Sequence, residues 1–235
     1  MTAGTDERAG RSQLTAAVRR LDQLGLNHNA SGNASVRVGD QLLVTPSGIP
    51  SADLTDDDLV LLDLDGRPAR DGQRTATSEW HLHTLLARRR PDVSAVVHTH
   101  SPEATAASAL AEVLPVVHYV VARFGSGGLR RAPYATYGTE ELAVNVADTL
   151  NGDGDACLMA NHGAIALGAD LDAAVALALD VEWYCTVVRR ARQQGTPTVL
   201  DGDEIDRVAE RFRTYGQPRS HPQDATAPTG APEEG

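Results

Sequence analysis

The stretch ASVRVGDQLLVT, residues 34–45, decides how the chain folds. Two short runs rich in Val and Leu flank Gly39–Asp40, and a two-residue turn of that composition joins antiparallel strands. Working outward, LVLLDLDGRPAR supplies a further strand that stops at a turn at Asp65 and Gly66. Upstream, Leu14, Ala17, Val18, Leu21 and Leu24 recur at helical spacing and Gly25 follows as a turn residue. A helix is predicted over Thr77–Arg89, with Thr77 or Ser78 as its N-cap, Trp80, Leu82, Leu85 and Leu86 as its apolar positions and Pro91 beyond its end. DVSAVVHTH reads as a strand, SPEATAASALA as a helix with Pro102 in its first turn, and ELAVNVADTL as another helix. ACLMANHGAIALG reads as paired strands and Leu171–Arg192 as a long Ala-rich helix. Hairpin strands interleaved with helices imply an α/β (α+β layered) domain, with a mostly antiparallel central sheet flanked by helices. The catalytic domain is expected over residues 11–217, between a flexible N-terminus at 1–10 and a disordered Pro-, Gly- and charge-rich tail at 218–235.

Composition excludes several function classes. Acidic residues outnumber basic ones, 32 to 21, giving a net charge of -11. That argues against a general polyanion-binding surface and leaves room only for a local pocket holding one phosphate, so no nucleic-acid partner is expected. Cys157 and Cys185 fit neither a disulfide framework nor a CxxC site and read as small core residues in a reducing compartment. MTAGTDERAG lacks the apolar run of a signal peptide, and no later segment reaches membrane-spanning length without charges, so the expectation is a cytoplasmic protein with no membrane contact.

The chemistry concentrates where strands end. Side chains alternate across a strand, so His98 and His100 point to one face, their Cα atoms roughly 6.6 Å apart, close enough to share a metal ion. An exposed strand end carrying two solvated histidines is the plain alternative, and further ligands decide between the two. His162 follows another apolar run and precedes Gly163, where the backbone can turn tightly. Glu79 stands at the start of the Thr77–Arg89 helix, where the dipole favours a carboxylate. Three imidazoles and a carboxylate complete a tetrahedral Zn²⁺ set, and a carboxylate that can leave the metal becomes a base beside a Lewis acid. His83 shares the Glu79 face by the i, i+4 rule but ranks lower, as a supporting or surface contact. His118 reads as a satisfied core or supporting histidine, while His28 and His221 read as loop and tail residues.

Together, LGLNHNASGNASVR, LLVTPSGIP, TSEWHLH, AVVHTHSPEA, VVHYVVARFGSGGLRRAPYATYGTEEL and MANHGAIALG resemble the class II aldolase/adducin family. The likeness runs from about Leu14 to Gly216. It implies one Zn²⁺ per subunit on Glu79, His98, His100 and His162, with another divalent ion as a possible substitute. It implies phosphate binding by Asn33, Ser47, Gly48, Thr77 and Ser78, and a homotetramer with active sites between subunits. Tyr119 would act in the neighbouring subunit's site, and Tyr215 would line the substrate pocket. The implied reaction cleaves a ketose 1-phosphate, L-fuculose 1-phosphate or a related 5-deoxypentulose 1-phosphate, to dihydroxyacetone phosphate and an aldehyde. Glu79 and Tyr119 are the catalytic residues in that reading. The chain contains no lysine, which rules out a Schiff-base aldolase. Phe124 and Arg130–Arg131 fall where the aldehyde pocket or subunit contacts are expected. A methylthioribulose-phosphate dehydratase would show the same metal set. A pentulose-phosphate 4-epimerase would carry aspartate in place of Glu79, and an adducin-like interaction module would lack the ligands.

Overall fold

The hairpin forms as its residues dictate: β1 (Asn33–Val38) and β2 (Gln41–Val44) pair antiparallel, with Ser35 opposite Val44 and Val38 opposite Gln41. β3 (Val60–Leu62) adds to β2, and β4 (Ala95–Thr99) adds to the other side of β1. β5 (Arg130–Ala132), β6 (Ala156–Met159) and β7 (Gly163–Gly168) complete a seven-stranded sheet in the order β3-β2-β1-β4-β7-β6-β5. All neighbours are antiparallel except β5 and β6, so the expected mostly antiparallel sheet is present. The computed structural model that shows this describes residues 6–110, 114–125, 127–150, 152 and 154–214. The predicted tail, Tyr215 and His221 lie outside the described residues.

Among the described residues there are six α-helices: α1 (Glu7–Gln23), α2 (Trp80–Arg89), α3 (Pro102–Ser108), α4 (Glu140–Thr149), α5 (Leu171–Gln194) and α6 (Gly202–Thr214). The period-2 alternation of the strands divides their residues between the two faces of the sheet, where two large clusters and a small one of Leu42, Val44, Val60, Leu62 and Ala87 form. Leu14, Leu21, Val36, Val97, Ala104, Leu158 and Val181 join α1, α3 and α5 to one sheet face. Leu82, Leu86, Val96, Val146, Met159 and Ile165 join α2 and α4 to the other. Cys157 and Cys185 are both free and buried, one in each core. Among the described residues no helix is long and apolar enough to cross a membrane.

Four expectations change. Residues 7–10 are helical, because Glu7 pairs with Arg11 one turn on, at 2.9 Å, and with Arg70, while Arg11 also donates to the carbonyls of Asp56 and Leu59. The N-cap of α2 is Glu79, and Thr77 instead accepts the Glu79 N–H at 3.3 Å just before the helix. The three-residue edge strand β5 and the helix α6 add to the elements expected from sequence. α6 announces itself in hindsight by Asp201, whose Oδ1 accepts the Glu204 N–H at 2.8 Å, and by Ile205, Val208 and Phe212 at helical spacing.

Candidate active site

β4 runs through the middle of the sheet, and its register sets the site. His98 lies opposite Asn33 of β1 and Ile165 of β7, so His98 and Asn33 share the α2–α4 face. His100 follows one residue past the strand end, and Asn27 Oδ1 accepts its backbone N–H at 3.4 Å. His162 comes from the three-residue turn between β6 and β7, in which Asn161 takes the left-handed conformation at φ 53°. Ser108 secures that turn, its carbonyl accepting from Asn161 N–H at 3.1 Å and its hydroxyl from His162 N–H at 3.2 Å. Gly163 therefore does not make the turn. It provides space, since a Cβ there would lie 2.2 Å from the Thr99 carbonyl oxygen and 3.3 Å from His98 Cε1.

The three rings converge. Their centroids are 4.7–4.9 Å apart at interplanar angles of 67–87°, and their ligand nitrogens all lie within 4.8 Å of one another. Glu79 reaches in from the start of α2, Oε2 at 3.2 Å from His98 Nε2 and Oε1 at 3.6 Å from His162 Nε2. The Ala164 carbonyl lies 3.0 Å from His98 Nδ1 and can only accept, so Nδ1 carries the proton and Nε2 presents a lone pair to the cluster. His98 Nε2 and His100 Nε2 stand 2.9 Å apart, and the buried Glu79 Oε1 has no hydrogen-bond partner. The His98 Nε2 lone pair, a second imidazole nitrogen 2.9 Å from it and an orphaned carboxylate oxygen are all satisfied by one cation among them, so the donor set fits a divalent metal. Burial, with help from neighbouring rings, pulls His100 and His162 down to about 4, so both are neutral and ready to ligate at neutral pH. Burial pushes the Glu79 carboxyl up, but His98, the Asn33 amide, His162 and His83 outweigh it and leave it below its ordinary value.

A cavity of about 330 Å³ opens above this cluster. Its lining comprises Ser31, Gly32, Asn33, Ser47, Gly48, Thr77 and Ser78, then His100, Asn161 and His162 together with Glu79, and from the loop before α4 Tyr134, Ala135 and Tyr137. The Ser47 and Thr77 segments are tied together by a β-bridge between Pro46 and Ala76, with Ser47 N–H to Thr75 O at 2.9 Å and Thr77 N–H to Thr45 O at 3.0 Å. Gly48 has φ 74°, which turns the backbone at the cavity edge. Of the residues singled out from sequence, Glu79, Asn33, Ser47, Gly48, Thr77, Ser78, His100 and His162 thus line one cavity, and His98 touches it through Glu79, at 3.2 Å.

Other expected residues lie elsewhere. Tyr119 is 51 % exposed on a 3-10 turn (Tyr119–Arg123) and does not line this cavity. His118 packs against Trp183, and its Nδ1 accepts the Val120 N–H at 3.1 Å. Phe124 is a core residue, edge-on to the Tyr184 ring, and not part of the pocket, because the 3-10 turn directs it inward. Arg131 donates to the Ser108 carbonyl at 3.3 Å and so supports the His162 turn from behind. His83 is fully buried and reaches Glu79 only through Asn33, since its position one turn along α2 faces β1. Tyr134 and Tyr137 also line the cavity, and no periodicity in the sequence marks them.

The family model described as Class II Aldolase and Adducin N-terminal domain matches residues 12–188, and the chain belongs to that family. It is 44% identical over 206 residues to a 5-methylthioribulose-1-phosphate/5-deoxyribulose-1-phosphate aldolase of Rhodospirillum rubrum, covering 88% of this chain and 92% of that one. It is 38% identical over 205 residues to an L-fuculose phosphate aldolase of Escherichia coli, covering 87% and 94%. A solved structure of an L-fuculose 1-phosphate aldolase superposes with a TM-score of 0.82 at 34% identity, over 87% of this chain and 96% of that one.

Proposed function

We propose that this chain is a zinc-dependent aldolase that reversibly joins dihydroxyacetone phosphate and an aldehyde into a ketose 1-phosphate. The carrying observation is the Glu79 carboxylate set among three imidazoles at the base of a cavity whose side is built from Ser47, Gly48, Thr77 and Ser78. Neutral hydroxyls, backbone N–H groups and the N-terminal end of α2 suit a phosphate in a chain of net charge -11. When bound, a divalent ion on His98, His100, His162 and Glu79 supplies Lewis-acid stabilisation of charge developing on the substrate oxygens. Glu79 takes the C3 proton of dihydroxyacetone phosphate, the C3 electron pair forms the bond to the aldehyde carbon, and Tyr119 gives a proton to the aldehyde oxygen. Cleavage reverses each transfer.

Tyr119, half exposed and outside its own chain's cavity, serves the site of a neighbouring subunit in a homotetramer. For the ketose, 5-deoxypentulose 1-phosphates come first, ahead of L-fuculose 1-phosphate. The Rhodospirillum rubrum relative at 44% identity supports that order, as do Tyr134, Ala135 and Tyr137, a largely apolar side suited to a methyl or methylthio end.

Proton NMR of dihydroxyacetone phosphate in D₂O with zinc-loaded protein and no aldehyde tests the reading. Stereospecific loss of one C3 proton signal is expected, slowed by about 10²–10⁴-fold in Glu79→Gln. No exchange at full zinc occupancy would defeat the proposal and point to the dehydratase or epimerase.

A further inference from the structure

His83 lies one turn after Glu79 on α2, fully enclosed, and lines no part of the cavity. Its ring bridges two side chains of β1: Nδ1 is 2.8 Å from Ser35 Oγ and Nε2 is 2.6 Å from Asn33 Oδ1. Asn33 Nδ2 is in turn 2.8 Å from Glu79 Oε2. Chemistry gives this chain one direction. A carboxylate only accepts, so the Asn33 amide must present its NH₂ to Glu79 and its oxygen to His83. That oxygen also only accepts, so His83 carries its proton on Nε2. A ring kept neutral by burial then has a bare Nδ1, which the Ser35 hydroxyl satisfies. Each link is determined by the next, from the interior out to the Glu79 carboxylate.

We propose that His83 is a positioning residue: through the Ser35–His83–Asn33 chain it fixes the Asn33 amide so that one N–H holds Glu79 as a metal ligand and the other faces the cavity. The inference rests on the reading of Glu79 as a ligand and of the cavity as a phosphate site. A histidine that merely filled the core would need some acceptor for its N–H, but not the carbonyl of the one amide that also holds Glu79. Here its removal frees an amide to rotate and turn its oxygen toward a carboxylate, which works against the ligand set.

The test compares wild type, His83→Leu and His83→Gln for zinc affinity, by competition with a chromophoric chelator, alongside thermal unfolding of each. Leucine fills the volume and offers no proton, whereas a glutamine carboxamide can place an N–H near the imidazole Nε2 position. Folded His83→Leu should bind zinc on the order of tenfold more weakly, the range seen when partners of metal ligands are removed, and His83→Gln should stay close to wild type. Wild-type affinity in His83→Leu, or equal loss in both variants, would overturn the proposal. ¹⁵N NMR of histidine-labelled wild type supplies a second readout that needs no variant to fold. A neutral His83 protonated on Nε2 is expected, and an Nδ1-protonated ring would overturn the chain. Neither readout uses turnover, so a protein that passes both yet exchanges no substrate proton refutes the aldolase reading and leaves this one standing.

Discussion

Two parts of the cavity lining, one enclosed and one open, are built by opposite means. On the first, Asn33, Thr77 and Glu79 are almost wholly buried, carried by β1 and the start of α2, and each makes specific hydrogen bonds. On the second, Tyr134 and Tyr137 are 61 % and 69 % exposed and come from the loop between β5 and α4. The first side fixes chemistry to ångström tolerance because sheet register and helix position determine it. The second can vary without disturbing the core, and under the proposed reaction that is where selection among aldehydes belongs. Changes to the enclosed side should therefore alter stability, metal and every substrate together, and changes to the open side should alter only the choice of aldehyde.

Acid should expose the cost of the enclosed side most clearly. Burial lowers His83 from its ordinary 6.5 to about 4, with Glu79 opposing and His98 adding to the shift. Between those values the unfolded chain binds a proton that the native ring refuses. Stability is thus full above 6.5, falls as pH drops toward about 4 and levels below it, by roughly 3 kcal/mol for this one group. Urea unfolding of metal-free protein across that window should show a fall, and His83→Gln should lessen it by about that amount. An unchanged slope in the variant would assign the acid sensitivity to other groups.

Tyr119→Phe removes one exposed hydroxyl and no packing, so zinc content and stability should be unchanged while condensation drops by about 10²-fold. The proposed contribution across subunits has its own readout. Mixing Tyr119→Phe chains with Glu79→Gln chains, then dissociating and reassociating them, should restore activity, because some sites pair an intact Glu79 with a neighbour's intact Tyr119. Additive inactivity of the mixture would place Tyr119 in its own subunit's site or outside catalysis.

The contrast between the two sides also explains what could be read in advance. His98 and His100 are legible because a strand has period 2, and Glu79 because it stands at the start of an apolar-periodic helix, where the dipole favours a carboxylate. The hairpin at Gly39–Asp40 and the long helix α5 follow from local signals alone. The Asn33–His83 link is not legible, because it depends on α2 lying across β1, between residues 50 positions apart in sequence. The same holds for Gly163, whose neighbour Thr99 belongs to the adjacent strand: sequence suggests a turn glycine, and only the β4–β7 pairing shows a spacing requirement. Tyr134 and Tyr137 sit in an irregular loop where neither helical nor strand periodicity operates.

Gly163→Ala tests that spacing. A methyl group 2.2 Å from the Thr99 carbonyl oxygen forces β7 away from β4 or displaces the His98 ring, at a cost of about 1–3 kcal/mol. A lower denaturation midpoint with weaker zinc binding is expected. An unchanged midpoint would mean that the turn before β7 relaxes freely, against the Ser108 bonds that hold it.

Tyr137→Ala should produce the smallest and most selective effect. The side chain is 69 % exposed, so little stability depends on it, and no bond to Glu79 or the three histidines is broken. Exchange of the dihydroxyacetone phosphate proton should continue at the wild-type rate. What changes is the hold on the apolar end of the aldehyde, a partly buried contact worth roughly 1 kcal/mol, or about a fivefold loss in kcat/KM. Because the contact grows with the size of that end, the loss should be greater for a methylthio-bearing aldehyde than for lactaldehyde. Equal losses for both, together with slowed proton exchange, would show that the open side also positions the ketose donor, and the division of labour between the two sides would fail.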